Sequence, residues 1–145
     1  MECGSYRGIK LLEHGMNVFE RVCEHRIRQQ IEIDDMQFGF MKGKGAIDAM
    51  FVVRQMQQKF KVKNKELYFG FVDLEKAFDR VLREVIRWAM CKLGADEWLV
   101  SAVMYIYMGA QTVVRTVRGN SHNFEVKVGM HQGSALSPLL FVIVM

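Results

Sequence analysis

The chain has 145 residues, half of them hydrophobic and a quarter charged, which excludes a globally disordered polymer and leaves room for one domain with a real core. Its net charge of +4 permits a polyanionic partner without requiring one. Cys3, Cys23 and Cys91 are odd in number and widely spread with no paired metal-ligand spacing, so the expectation is reduced thiols in an intracellular protein, nuclear or cytoplasmic rather than secreted.

The N-terminal MECGSYRGIK lacks an apolar signal core, no run reaches membrane-spanning length, and no membrane partner is expected. Residues 1–13 set Arg7 and Lys10 beside Ile9, Leu11 and Leu12. From His14 to Ile33, the positions of Met16, Val18, Phe19, Val22, Ile27 and Ile31 predict an irregular helix. Its charged outer face would carry Glu20, Arg21, Glu24, Arg26 and Arg28. Asp34-Asp35 reads as a solvated turn in preference to a metal site. Gln37-Phe38-Gly39-Phe40 and Lys42-Gly43-Lys44-Gly45 then precede a helix expected from about Ala46 to Phe60. Backbone amides, lysine charge and a helix N-terminus would together receive phosphate. A mobile basic turn with no ligand is the alternative, and the spacing is not that of a P-loop. The helix should turn Ile47, Met50, Phe51, Val53, Met56 and Phe60 to a core, and Lys59, Lys61, Lys63 and Lys65 form a solvated basic connector.

The stretch from Glu66 to Val81, ELYFGFVDLEKAFDRV, changes character in its middle. Residues 67–72 are nearly all apolar and predict a strand buried on both faces. The run ends at Asp73. Beyond it Ala77, Phe78, Val81, Leu82, Val85, Ile86, Ala89, Met90 and Leu93 recur at helical spacing, with Gly94 as the residue past the helix end. A carboxylate thus stands where a strand gives way to a helix, placed either to hold a metal near a phosphate or simply to cap the helix. Asp96 is a plausible N-cap for a helix over about Glu97 to Met108. The alternating stretches 112–117 and 124–128 around Gly119-Asn120-Ser121 predict a β-hairpin. Its Arg115, Arg118 and Lys127 either face nucleic acid or are ordinary exposed strand residues. In GMHQGSALSPLLFVIVM, Ser137 as N-cap and Pro138 as the first helical residue predict a helix start, with Gln132-Gly133 in the turn before it. The Gln132 amide either contacts a ligand or satisfies turn backbone.

Taken together, these stretches resemble the reverse transcriptase domain of non-LTR (LINE-type) retrotransposons. FVDLEKAFDRV looks like that family's motif A and GMHQGSALSPLLF like motif B. QFGFMKGKGAIDAMFVVRQMQQKF looks like the fingers segment before the palm, and SYRGIKLL like the still earlier YRPISLL-type segment. The resemblance implies an α+β fold, part of a right-hand polymerase, with a fingers portion at 1–62 and an incomplete palm at 63–145. It also implies RNA-directed DNA polymerisation on an RNA template and DNA primer with dNTP and Mg²⁺. Asp73 matches the catalytic aspartate that binds the metal ions, with the Leu74 carbonyl beside it. Phe78 matches the bulky gate that disfavours a 2′-hydroxyl, and Gln132 and Gly133 match the pair packed against nucleotide and template. Arg7, Lys42 and Lys44 fall in segments that approach the triphosphate or the template backbone. Asp79 belongs to motif A and is expected to be structural.

The departures from the pattern shape the functional expectation. The family's motif C, an aspartate pair on a hairpin, lies beyond motif B, and the chain stops within the motif B helix. Asp34-Asp35 is the one adjacent aspartate pair and stands in the wrong segment. Gly8 and Lys42 stand where prolines are usual, Lys44 where arginine is, and Leu82 where a proline follows Val81. A single palm carboxylate cannot close a two-metal centre, so the expectation is a truncated polymerase fragment, inactive alone. A nucleic-acid-binding remnant without catalysis, or a relic with no role, are the alternatives.

Overall fold

A computed structural model describes residues 8–145. They fall into two compact units, one made of the chain up to Glu32 together with Lys76–Met145, the other Ile33–Glu75. Helices and two small antiparallel sheets together agree with an α+β chain.

The first unit contains α1 (His14–Gln30), α3 (Ala77–Arg80), α4 (Arg83–Lys92), α5 (Glu97–Tyr107) and α6 (Ser137–Val144). Helix α4 packs on both α5 and α6, and α5 packs on α1. Ile86, Ala89 and Met90 of α4 meet Leu99, Val100, Val103 and Tyr107 of α5 and Leu139, Leu140 and Ile143 of α6 in one core. Spacings of three and four residues put each set on one helix face, which is why these helices are legible as a pattern. Helix α1 departs from expectation. Met16, Val18, Phe19 and Val22 are exposed, and the buried face is Glu20, Cys23 and Ile27, continued by Ile31. The ends of α1 and α5 are tied reciprocally. Gln30 Nε2 donates to Asp96 Oδ2 at 2.7 Å, and the Asp96 amide donates to Gln30 Oε1 at 2.9 Å.

The helix expected to run from Ala77 to Leu93 is broken at Val81 and Leu82, both extended. The cause lies elsewhere in the chain. The carbonyl of Phe78 accepts from the Met130 amide at 2.8 Å and that of Val81 from the Gly129 amide at 2.9 Å, so acceptors a continuous helix needs are taken by another segment. Gly94 follows α4 with φ +83°, the left-handed end expected of it. The hairpin is present with a shifted turn. Strands β1 (Gln111–Thr112) and β4 (Phe124–Glu125) pair, as do β2 (Arg115–Thr116) and β3 (Gly119–Asn120). The loop is therefore Val117-Arg118, closed by Thr116, whose hydroxyl donates to the Gly119 carbonyl at 2.8 Å. Ser137 is not the cap of α6. It is the first helical residue, and Ser134 Oγ accepts from the amides of Leu136 and Ser137 at 3.1 and 3.2 Å.

The second unit holds α2 (Ala46–Val62), entered through Gly45, whose amide donates to Asp48 Oδ2 at 2.7 Å. No α2 residue is fully buried: of its expected core face Ile47, Met50, Phe51 and Met56 are exposed, and Val53 and Phe60 are half-buried. Residues 67–72, expected as a buried strand, form no strand: Tyr68, Phe71 and Val72 are 84%, 86% and 88% exposed. Apolar content supplies strand propensity, but a strand exists only when a neighbour takes its backbone groups, and none among the described residues does. Asp73 therefore neither ends a strand nor caps the following helix, whose N-cap is Lys76 at φ +52°.

Candidate nucleotide site at the motif A and motif B contact

The first unit brings Phe78 and Asp79 of α3 against the 129–137 loop. The two hydrogen bonds from Gly129 and Met130 fix the register, and Gly129 makes the approach possible. At φ +85°, a Cβ there would lie 2.8 Å from the Asp79 carbonyl oxygen. The turn also meets the segment before α1. The Lys10 amide donates to the Gln132 carbonyl at 2.7 Å, and a Cβ on Gly133, at φ +99°, would sit 2.7 Å from the Lys10 carbonyl oxygen. Only glycine fits either position without the backbone moving.

Side chains complete the contact. Phe78 stacks on Phe141 of α6 with ring centroids 4.7 Å apart. Gln132 Nε2 donates to Asp79 Oδ1 at 2.9 Å. Phe78, Gln132 and Gly133, singled out from the sequence, are thus held together with Asp79, at a place where Gly133 and Asp79 are exposed and Phe78 and Gln132 half-buried.

Behind the turn lies a polar network that the sequence did not reveal. Glu20, 1% exposed, accepts from Ser134 Oγ at 2.7 Å and from the Ala135 amide at 3.0 Å. Its helical register with Cys23 and Ile27 was the available signal, hidden by its charge. The His131 ring lies 4.8 Å from that of Tyr107, buried, with neither ring nitrogen hydrogen-bonded. Burial, then the positive charges of Lys10 and Arg83, push its pKa from 6.5 to about 4, so the ring is neutral at pH 7. Arg83 donates to the Tyr107 carbonyl at 2.6 Å and to that of Val126, and its guanidinium lies 5.3 Å from the centre of the Tyr107 ring. Burial pushes the Tyr107 phenol up, opposed by its hydrogen bond with Ser137 and reinforced by Glu20.

The remaining candidates belong to the second unit or lie outside the described residues. Arg7 is outside them. Lys42 is exposed. Lys44 is engaged within its own loop, donating to the Asp35 carbonyl at 2.6 Å, pairing with Asp35 Oδ1 at 3.3 Å and lying 6.0 Å from the centre of the Phe38 ring. Asp34 Oδ1 accepts from the Met36 amide at 2.7 Å, as a turn residue does. Asp73 and Leu74 are exposed. Among the described residues no three or more His, Cys, Asp or Glu side chains are grouped to hold a metal ion. One carboxylate and one carbonyl are oxygen donors of the type Mg²⁺ takes, and they supply two of its near-octahedral set, the rest of which Mg²⁺ ordinarily draws from water, further carboxylates and substrate phosphates. No described helix is long and apolar enough to cross a membrane.

The protein-family model described as "Reverse transcriptase (RNA-dependent DNA polymerase)" matches residues 2–145. The chain is 26% identical over 145 residues to a Retrovirus-related Pol polyprotein from type-1 retrotransposable element R2 of Nasonia vitripennis, covering 100% of this chain and 14% of the relative. Over 120 residues it is 29% identical to the Pol polyprotein from type-2 retrotransposable element R2DM of Drosophila melanogaster, covering 83% of this chain and 11% of the relative. A probable RNA-directed DNA polymerase from transposon BS of the same fly is 29% identical over 145 residues, 94% of this chain and 16% of the relative. The chain thus spans between a tenth and a sixth of the length of these relatives.

Proposed function

The chain belongs to the reverse transcriptase family, with homologues in non-LTR retrotransposon polymerases, and we propose that it forms the part of such a polymerase that receives the incoming deoxynucleotide. The observation that carries this reading is the interlock of Phe78-Asp79 with the turn that carries Gln132-Gly133, secured by the Met130–Phe78 and Gly129–Val81 backbone hydrogen bonds and by Gly129, which tolerates no side chain against Asp79.

In the reaction the family performs, a primer 3′-hydroxyl attacks the α-phosphate of a dNTP and pyrophosphate leaves. Phe78, braced by Phe141, supplies a flat, fixed wall where the sugar would lie, and a wall that cannot rotate away excludes a 2′-hydroxyl by contact alone. Gln132 offers an amide for hydrogen bonding, and Gly133, with the Lys10 carbonyl where a Cβ would stand, lets the turn close on the segment before α1 and holds the Gln132 backbone in place. Lys42, Lys44 and Arg7 are assigned to phosphates of the triphosphate or the template backbone, where cations neutralise charge. The family uses a divalent metal to offset the phosphate charge. Asp73 and the Leu74 carbonyl are assigned as oxygen donors toward Mg²⁺, and they do not complete a site. The fingers and palm portions of a right hand are assigned to residues 1–62 and 63–145.

The 145-residue polypeptide alone is therefore expected not to polymerise. Template-dependent dNTP incorporation by it, abolished by Asp73→Ala, would refute this. The site reading is tested by equilibrium titration with dATP and ATP. The expected result is a preference for dATP of ~10-fold or more that collapses in Phe78→Val. Equal preference in wild type and variant would remove Phe78 from the site.

A further inference from the structure

We infer that Asp79 is a positioning residue for Gln132, fixing which way round the glutamine amide presents its donor and acceptor to a ligand. A carboxylate accepts hydrogen bonds and donates none, so only the nitrogen end of the Gln132 amide can face it. The Nε2–Oδ1 distance of 2.9 Å is that of a well-formed bond. With one Nε2 hydrogen committed, the amide retains one hydrogen and both lone pairs of Oε1 for a ligand. A flipped amide would set its oxygen against the carboxylate and reverse that polarity.

Three observations separate this contact from an incidental pairing of surface side chains. The backbones carrying the two residues are locked together by the Met130–Phe78 and Gly129–Val81 hydrogen bonds. Gly129 leaves no space between itself and the Asp79 backbone. The Gln132 carbonyl is held on its other side by the Lys10 amide. Neither main chain can drift, so the side-chain bond selects among amide orientations and does not merely follow them. The consequence for a ligand rests on the nucleotide-site reading above. The positioning itself does not.

The decisive experiment on the full 145-residue chain is a polarity swap read by thermal melting. Gln132→Glu sets two carboxylates against each other and should lower Tm. Adding Asp79→Asn restores a donor facing an acceptor, with the roles exchanged, and should recover most of the loss. Absence of rescue, with Asp79→Asn alone near wild-type Tm, overturns the inference. A second measurement needs no carboxylate clash. In ¹⁵N-correlated spectra, Asp79→Ala should move the Gln132 side-chain NH₂ pair to the position of a solvated glutamine, while Asp79→Asn, which keeps an acceptor, should leave it near its wild-type place. An unmoved pair in Asp79→Ala is equally fatal. Titration with dTTP then separates the two readings. If wild type binds it, Asp79→Ala should weaken binding ~10-fold at unchanged fold, and undiminished binding overturns the inference. If dTTP leaves the Gln132 NH₂ pair of wild type unmoved while the swap still rescues, the nucleotide-site reading fails and the positioning stands.

Discussion

Removing the Glu20 carboxylate should loosen the turn that carries Gln132 and Gly133 without touching either residue. Glu20→Ala deprives two donors of their acceptor, the Ser134 hydroxyl and the Ala135 amide, in a place that is 1% exposed. A buried donor left unpaired costs about 1–3 kcal/mol, so the pair would cost about 2–6. Part of this is returned, because a buried carboxylate is itself expensive to desolvate and water can enter the gap. A net loss of about 3 kcal/mol is expected, or about 6–12 °C in Tm for a domain of this length. Glu20→Gln keeps an oxygen facing both donors and should lose only about 1 kcal/mol, the charge-assisted part of the bonds. Urea unfolding at pH 7 reads both values, provided that the denaturant slope is unchanged. Ser134→Ala in the Glu20→Ala background should cost clearly less than in wild type, because the shared bond is already gone. A Glu20→Ala variant within about 0.5 kcal/mol of wild type would refute the reasoning, since substitutions away from buried features fall in that range.

Two further outcomes follow from the same unit. His131 has a native pKa of about 4 against 6.5 in the unfolded chain, so between those values the unfolded state binds the extra proton. Its contribution is full above about pH 6.5 and declines by about 3 kcal/mol as pH falls toward 4. His131→Phe should flatten the stability-against-pH curve in that window, and an unchanged slope would contradict the burial of a neutral ring. Gly94→Ala and Gly133→Ala place an alanine at similar positive φ, +83° and +99°, but the Gly94 Cβ meets nothing within 4 Å and the Gly133 Cβ meets the Lys10 carbonyl at 2.7 Å. The first should cost about 1 kcal/mol, the price of left-handed backbone, and the second about 3 or more by denaturant titration.

Periodicity carried the helices well. The faces of α4 and α5 could be read in part: Ile86, Ala89 and Met90, and Leu99 and Val103, repeat at helical spacing and are buried, whereas Val85 and Leu93 of the same pattern are exposed. Pattern failed where a partner distant in sequence decides the conformation. Residues 67–72 have strand composition but no ladder, and the Ala77–Leu93 helix is interrupted because Gly129 and Met130 claim its carbonyls. Motif resemblance singled out Phe78, Gln132 and Gly133, of which Gln132 bonds Asp79 beside Phe78 and Gly133 packs against Lys10. It gave no sign that Glu20 is buried, since a glutamate among arginines on a helix reads as a solvated face, and only tertiary packing reveals the Ser134 partner. The roles of Gly129 and Gly133 were equally hidden, because a glycine's necessity depends on what lies where its Cβ would be.

The central claim, that the interlocked turn is a nucleotide site, is met most directly by titrating the isotopically labelled chain with dATP and following every backbone amide. The account predicts saturable shifts concentrated at Phe78, Gln132 and Gly133, lost in Gln132→Ala while the rest of the spectrum stays in place. Shifts that spare these three amides, or none at millimolar dATP, would contradict it.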